Sequence, residues 1–274
     1  MKTLYILKCL FIFGIVLFFS VSAFAQYYEF RPVENFGGKT QLADFLSREM
    51  IYPEEAIQEK IEGTVVIQCL VDKTGKVSDV AISRSVSDAL DKEAIRLFRF
   101  LLWEPAQLRG NPIDSQTMLE VEFSLKKYMR HIKKQGSRQD AWPELPADTS
   151  FHIYKSTQLK NPPRPVYSQS GMKFGDFVQQ NMVYPATALK QSISGTVEVF
   201  FVVETSGRVS NIKLLKSVSG GCNEEAIRLL KLLKWKPGIH NDMAVRTEMV
   251  LQISFSLTDY QQMRYVPPSN NNQF

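Results

Sequence analysis

The chain has 274 residues, 44% of them hydrophobic and 22% charged, which gives room for one large core or two modest ones and excludes an intrinsically disordered polymer. The formal net charge is +5, and without Lys2 and Lys8 of the apolar N-terminal segment it falls to +3, too slight to imply a nucleic-acid partner. Three cysteines and three histidines, at no metal-ligand spacing, give no basis for a metal centre.

Residues 1–25 read as an export signal. Lys2 and Lys8 precede an apolar run from Cys9 to Phe19, and Ala23-Phe24-Ala25 has the small-x-small form of a cleavage site before Gln26. The alternative is an inner-membrane anchor, because residues 4–25 are long enough to span a bilayer if Lys8 lies near the interface. Next comes Phe36-Gly37-Gly38-Lys39-Thr40, which holds the tripeptide that closes a phosphate-binding loop. The glycine required five positions before Gly38 is Val33 instead, so nucleotide binding is the weaker reading. The stretch fits the turn into a helix capped by Thr40, with LADFLSREM as its body.

From Tyr52 the signals follow in order. Pro53 opens a short helix, where a missing N–H costs nothing. Val65, Ile67, Cys69 and Val71 alternate as one face of a strand, and Asp72 to Gly75 form a tight turn into the strand VSDVAIS. Ala94, Ile95, Leu97, Phe98, Leu101 and Leu102 recur at helical spacing behind a cap at Asp88. Trp103 and Pro105 follow, and Leu119, Val121, Phe123 and Leu125 alternate as a third strand. The next segment is basic at Lys126, Lys127, Arg130, Lys133, Lys134 and Arg138, a pattern that suits a solvated linker or an anionic surface. Pro143, Pro146, Pro162, Pro163 and Pro165 then make it a semi-stiff tether.

After the tether the same signals return, 132 positions on and without a gap. Tyr52-Pro53 recurs as Tyr184-Pro185, Gly63 as Gly195, Gly75 as Gly207, Trp103 as Trp235, and Phe123-Ser124-Leu125 as Phe255-Ser256-Leu257. Asn223 is the expected cap of the second long helix, and Met249, Leu251, Ile253, Phe255 and Leu257 alternate as the last strand. Two copies with a long spacer indicate a tandem duplication of a whole domain, not a solenoid. The expected organisation is a signal at 1–25, domains at 36–125 and 166–260, a linker at 126–165 and a flexible tail at 261–274. The expected fold class is α+β: two small domains, each a three-stranded antiparallel sheet with helices packed on one face. Cys69 on a strand face and Cys222 in a turn are not expected to pair.

This succession of YP-x-x-A, GTV, D-x-x-G, V-S-x-V, S-V-S, a D-x-E-A-x-R-L helix, W-x-P and F-S-L resembles the TonB C-terminal domain family, over about residues 36–125 and 168–257. Tyr52, Pro53, Gly63, Gly75 and Trp103 carry the resemblance in the first copy; Tyr184, Pro185, Gly195, Gly207 and Trp235 carry it in the second. The resemblance implies a three-stranded α+β domain that binds an extended segment of an outer-membrane TonB-dependent receptor at a sheet edge. It implies a periplasmic location and energy-coupled transmembrane transport, directly or through an adaptor. Full transducers of the family also engage the ExbB and ExbD motor proteins through an uncleaved inner-membrane helix. The cleavable-looking start and the short stretch before Phe36 depart from that pattern.

Residues 246–257 are the expected free edge, with Met249, Val250, Leu251, Gln252, Ile253, Ser254 and Phe255 as the partner-binding strand. The first copy carries Glu120 and Glu122 where the second has neutral Gln252 and Ser254, and charges discourage edge pairing. No catalytic, cofactor-binding or metal residue is expected. Ser85 and Ser87 recur as Ser217 and Ser219 without a copied base, and Glu93 and Glu225 sit where a helix start favours acids.

Overall fold

The computed structural model describes residues 30–135, 142, 145–167 and 171–258. The expected signal at 1–25 and tail at 261–274 lie outside the described residues. The chain forms two compact units that do not follow the repeat boundaries everywhere: Phe36–Ile51 and Arg99–Leu101 belong with the second unit, while Tyr52–Phe98 and Leu102–Lys126 form the first.

The first helix, α1 (Gly38–Glu49), therefore belongs to the second unit. Gly37, at φ 84°, occupies the cap position and Thr40 lies inside the first turn, which corrects the expected Thr40 cap. A side chain on Gly37 would overlap the Ile212 carbonyl, so only glycine can make this turn.

In the first unit, α2 (Glu54–Gln58) leads into β1 (Gly63–Val71), β2 (Val77–Arg84), α3 (Asp88–Arg99) and β3 (Ser115–Phe123). The sheet order is β2-β1-β3, antiparallel throughout, with Gly63 opposite Phe123 and Val71 opposite Ser115. Period-two alternation buries Val65, Ile67, Cys69 and Val71 together with Leu119, Val121 and Phe123, while Leu90, Ala94 and Leu97 of α3 are buried as well. The start of α3 differs from expectation. Ser87, not Asp88, is the cap, its Oγ accepting from the Leu90 N–H at 3.4 Å, and Asp91 reaches back to accept from the Val86 N–H at 3.2 Å. The third strand also stops at Phe123, and Leu125 begins α4 (Leu125–Gln135) instead of extending the alternation.

The second unit repeats this plan through α5 (Phe174–Asn181), α6 (Ala186–Lys190), β5 (Gly195–Val203), β6 (Val209–Lys216) and α7 (Cys222–Leu232). It ends on β7 (Gly238–His240) and β8 (Met243–Phe255). Gly195 lies opposite Phe255 and Val203 opposite Thr247, the register of the first copy moved by the repeat offset. Asn223 is inside α7; its Oδ1 accepts from the Val218 N–H at 2.9 Å, the role of Asp91, and Gly221 at φ 94° is the cap. The hairpin of each copy has register shifts at matching places, and there Asp79 (φ 51°) and Asn211 (φ 49°) adopt the left-handed conformation that Asp and Asn tolerate best.

The linker is not a uniform tether. Beyond α4, the segment from residue 145 runs along the second unit: Ala147 bridges Ala244, Ile153–Lys155 forms a strand, Asn161 bridges Ile239, and Arg164–Val166 pairs with Lys234–Lys236.

Cys69 and Cys222 are both free and buried, Cys69 inside the first core and Cys222 inside the second. Burial pushes the Cys69 thiol up to about 11 and raises that of Cys222. Neither thiol is expected to react with an alkylating reagent near neutral pH until denaturant opens the cores, as peptide-level mass spectrometry would show. Rapid modification of either residue in the native protein would contradict this burial.

Candidate partner-strand edge

The sheet of the second unit runs β6-β5-β8-β7, and a further strand, β4 (Ile153–Lys155), also pairs with β8. The outer edge of β8 is thus occupied along its first part. β7 pairs Gly238 with Val245 and His240 with Met243, and β4 lies parallel with Ile153 opposite Arg246 and Lys155 opposite Glu248. This corrects the expectation of a free edge from residue 246. A three-residue strand in a proline-bearing linker was too short to show as alternation. From Met249 to Phe255 no strand pairs on the outer side among the described residues. There Val250 is 51% exposed, and Gln252 and Ser254 are exposed. Their side chains lie across the outer sheet face, Ser254 Oγ 3.1 Å from Thr196 Oγ1 and Gln252 Nε2 donating to Glu198 Oε1 at 3.3 Å. Ile253 and Phe255 point the other way, into the core.

In the first unit the outer edge of β3 has no strand partner among the described residues along its whole length, and Glu120 and Glu122 are exposed on it.

A buried polar cluster holds β4 in place. Arg246 and Glu204 are 3% exposed each, and the guanidinium donates to both carboxylate oxygens, at 2.7 and 3.1 Å. It also donates to the Phe151 carbonyl at 3.0 Å, just ahead of β4, and to the Phe100 carbonyl at 2.8 Å. Ser210 Oγ donates to Glu204, and Asn211 Nδ2 donates to Phe100 O and to Ser210 Oγ, each at 2.8 Å. Tyr154 lies between the rings of His152 and His240, at 4.5 and 4.9 Å. Sequence reasoning missed this cluster. The signal was present in the ungapped repeat: the positions of Glu204 and Arg246 are Asp72 and Asp114 in the first copy, so one acid has become a base beside a lengthened acid.

Each motif residue has a packing role that repeats in the two copies. The Tyr52 hydroxyl donates to Ile61 O at 2.6 Å and its ring meets Phe123 edge-on; Tyr184 does the same with Ile193 O at 2.7 Å and Phe255. Burial raises the pKa of both phenols. Pro53 and Pro185 hold the cap positions of α2 and α6. Gly63 and Gly195 lie against Val86 and Val218, with little room for a side chain. Gly75, at φ 85°, closes the hairpin turn so near Trp103 O that a Cβ would come within 2.6 Å, and Gly207 repeats this against Trp235 O. In the first turn Asp72 accepts from the Thr74 hydroxyl at 2.6 Å, which holds its carboxyl below the usual range. Trp103 and Trp235 are buried with ring contacts to Phe98 and Phe201, and neither indole N–H has an acceptor among the described residues. Glu93 and Glu225 do more than favour a helix start: each is buried and chelated by an arginine one turn on, Arg96 or Arg228, and Glu225 also accepts from the Val183 N–H at 2.7 Å.

The family described as Gram-negative bacterial TonB protein C-terminal matches residues 48–125 and 180–257, one segment in each copy and together more than half of the chain. The chain belongs to the TonB C-terminal family. Solved TonB domains resemble parts of it. The Helicobacter pylori TonB C-terminal domain is 18% identical over 31% of this chain and 78% of its own, with a TM-score of 0.24. The Pseudomonas aeruginosa TonB C-terminal domain is 20% identical over 39% of this chain and 95% of its own, with a TM-score of 0.28. No curated protein matches the chain. Membership in the TonB family supports a TonB-like role in receptor interaction, within a non-enzymatic family of the Gram-negative envelope whose partners are outer-membrane TonB-dependent receptors.

Proposed function

We propose that this protein is exported to the periplasm with loss of residues 1–25 and captures extended segments of outer-membrane TonB-dependent receptors by strand addition at Met249–Phe255, in energy-coupled transport or as an adaptor to it. One observation carries the reading. The outer edge of β8 already takes a strand from its own chain, in parallel, at Arg246–Glu248, and the next seven residues offer the same backbone groups unpaired by any described strand. An incoming segment gains main-chain hydrogen bonds there, and its alternate side chains meet Val250 and its exposed neighbours. β4 bounds the site, limiting a partner strand to the length of Met249–Phe255 unless β4 is displaced.

Titration of a labelled receptor-derived peptide against the wild type, Ser254→Glu and Glu122→Ser tests it. Ser254→Glu should keep the fold, since residue 254 is exposed, and weaken capture about three- to tenfold by placing a charge beside the docked strand. Glu122→Ser should make the first copy more permissive. A folded Ser254→Glu protein that binds as tightly as wild type removes Met249–Phe255 as the docking site.

A further inference from the structure

α4 is the one basic feature of the sequence that receptor capture leaves unused. It is a single helix from Leu125 to Gln135 without an acidic residue. Its start is fixed to the end of the first sheet, where the Leu125 N–H donates to Glu62 Oε1 at 2.5 Å, an acid suitably placed at a helix N-terminus. Leu125, Tyr128, Met129 and Ile132 recur at i, i+3, i+4 and i+7 and form one apolar stripe. That stripe is not buried: Met129 is 49% exposed, and Leu125, Tyr128 and Ile132 are half-buried. Beside it, Lys126, Arg130, Lys133 and Lys134 are exposed and have no acidic partner among the described residues.

Like charges at i,i+4 spacing, as in Lys126 with Arg130 and Arg130 with Lys134, oppose helix formation in water. A facing layer of negative charge outweighs that repulsion, because each cation is attracted to it. A soluble polyanion would satisfy the cations alone. The adjoining apolar stripe calls for a partner with an apolar layer beneath its anionic surface, and that combination is a phospholipid bilayer. We propose that α4 is a membrane-surface helix that lies on anionic phospholipid, with Met129 leading the apolar stripe into the headgroup boundary and the lysine stems spreading from it to the phosphates. This is independent of which edge captures a receptor segment.

The test follows backbone hydrogen exchange of residues 125–135 in the full chain, mixed with phosphatidylcholine vesicles with and without phosphatidylglycerol. A readout local to α4 is unaffected by any lipid contact of the apolar N-terminal segment. Protection is expected with the anionic vesicles only and is expected to disappear at high salt. The double variant Lys126→Gln with Lys133→Gln should bind about 25-fold more weakly, since each cation near such a surface contributes roughly a fivefold factor. Met129→Gln should also weaken binding by several-fold while circular dichroism shows the fold retained. No added protection in the wild type, or equal protection by pure phosphatidylcholine, overturns the proposal. So does protection by soluble polyphosphate that matches the anionic vesicles and is indifferent to Met129→Gln, because that outcome identifies a simple polyanion site.

Discussion

Arg246→Ala is expected to destabilise the second unit by about 3–5 kcal/mol, because removing one partner of a buried ion pair leaves the other charge without compensation. Glu204 would stay buried with only Ser210 donating to it among the bonds described, and the Phe151 carbonyl would lose its guanidinium donor. Phe100 O would keep Asn211. Because the lost bonds tie β8, the turn at Glu204 and the approach to β4 together, early hydrogen exchange should appear in β4 and in the turn. Replacing both charges, Arg246→Met with Glu204→Met, should cost less than Arg246→Ala alone, since no isolated charge remains. Urea unfolding followed by exchange at these elements measures both effects. A loss below about 1 kcal/mol for Arg246→Ala would show that water reaches the cluster and that it is not the dry pair described above.

Gly207→Ala should lower the stability of the second unit by roughly 2–4 kcal/mol. Two costs combine: a left-handed backbone with a Cβ, about 1–2 kcal/mol, and the overlap of that carbon with Trp235 O. Gly110 provides the control. At φ 76° it shares the backbone cost, but a side chain there meets nothing within 4 Å. Gly110→Ala should therefore lose only about 1–2 kcal/mol. Equal losses for the two variants, compared by thermal unfolding, would show that the hairpin turn can move off the tryptophan carbonyl and that the recurrence of glycine there reflects backbone conformation alone.

Much of the core could be read from residue order. Val65, Ile67, Cys69 and Val71 are buried as their alternation requires, and the ungapped repeat carried that burial and its register to Val197, Val199, Phe201 and Val203. Features that depend on distant contacts were not legible. Thr40 has the chemistry of a cap, but Gly37 takes the position because the turn lies against the Ile212 carbonyl. Asp79 and Asn211 sit inside strands where period two alone gives no sign of a bulge, although an Asx residue in a strand is a hint that could have been used. At the candidate edge the alternation of Met249, Leu251, Ile253 and Phe255 marked a strand, but alternation carries no sign of what pairs with its outer side. The cover at Arg246–Glu248 was not legible, because it comes from three residues nearly a hundred positions away in sequence.

α1 shows that equal sequence does not give equal surroundings. Its counterpart α5 begins with the Lys173 N–H donating to the Asp176 carboxylate, whereas in α1 the matching Asp44 pairs with Lys231, and Arg48 donates to the Val209 carbonyl. Phe36 meets Phe200 edge-on, and Ser210, Asn211 and Ile212 of β6 are buried; the matching Ser78, Asp79 and Val80 of β2 stay exposed. The duplicated stretch of gene and the compact unit of structure are therefore different objects. Recombination that moved one copy as a cassette, cut at the repeat boundary, would carry α1 away from the strand it covers and leave a raw apolar face behind. Such a chain inherits two copies but can no longer shed either one cleanly, so the duplication has become irreversible in structural terms.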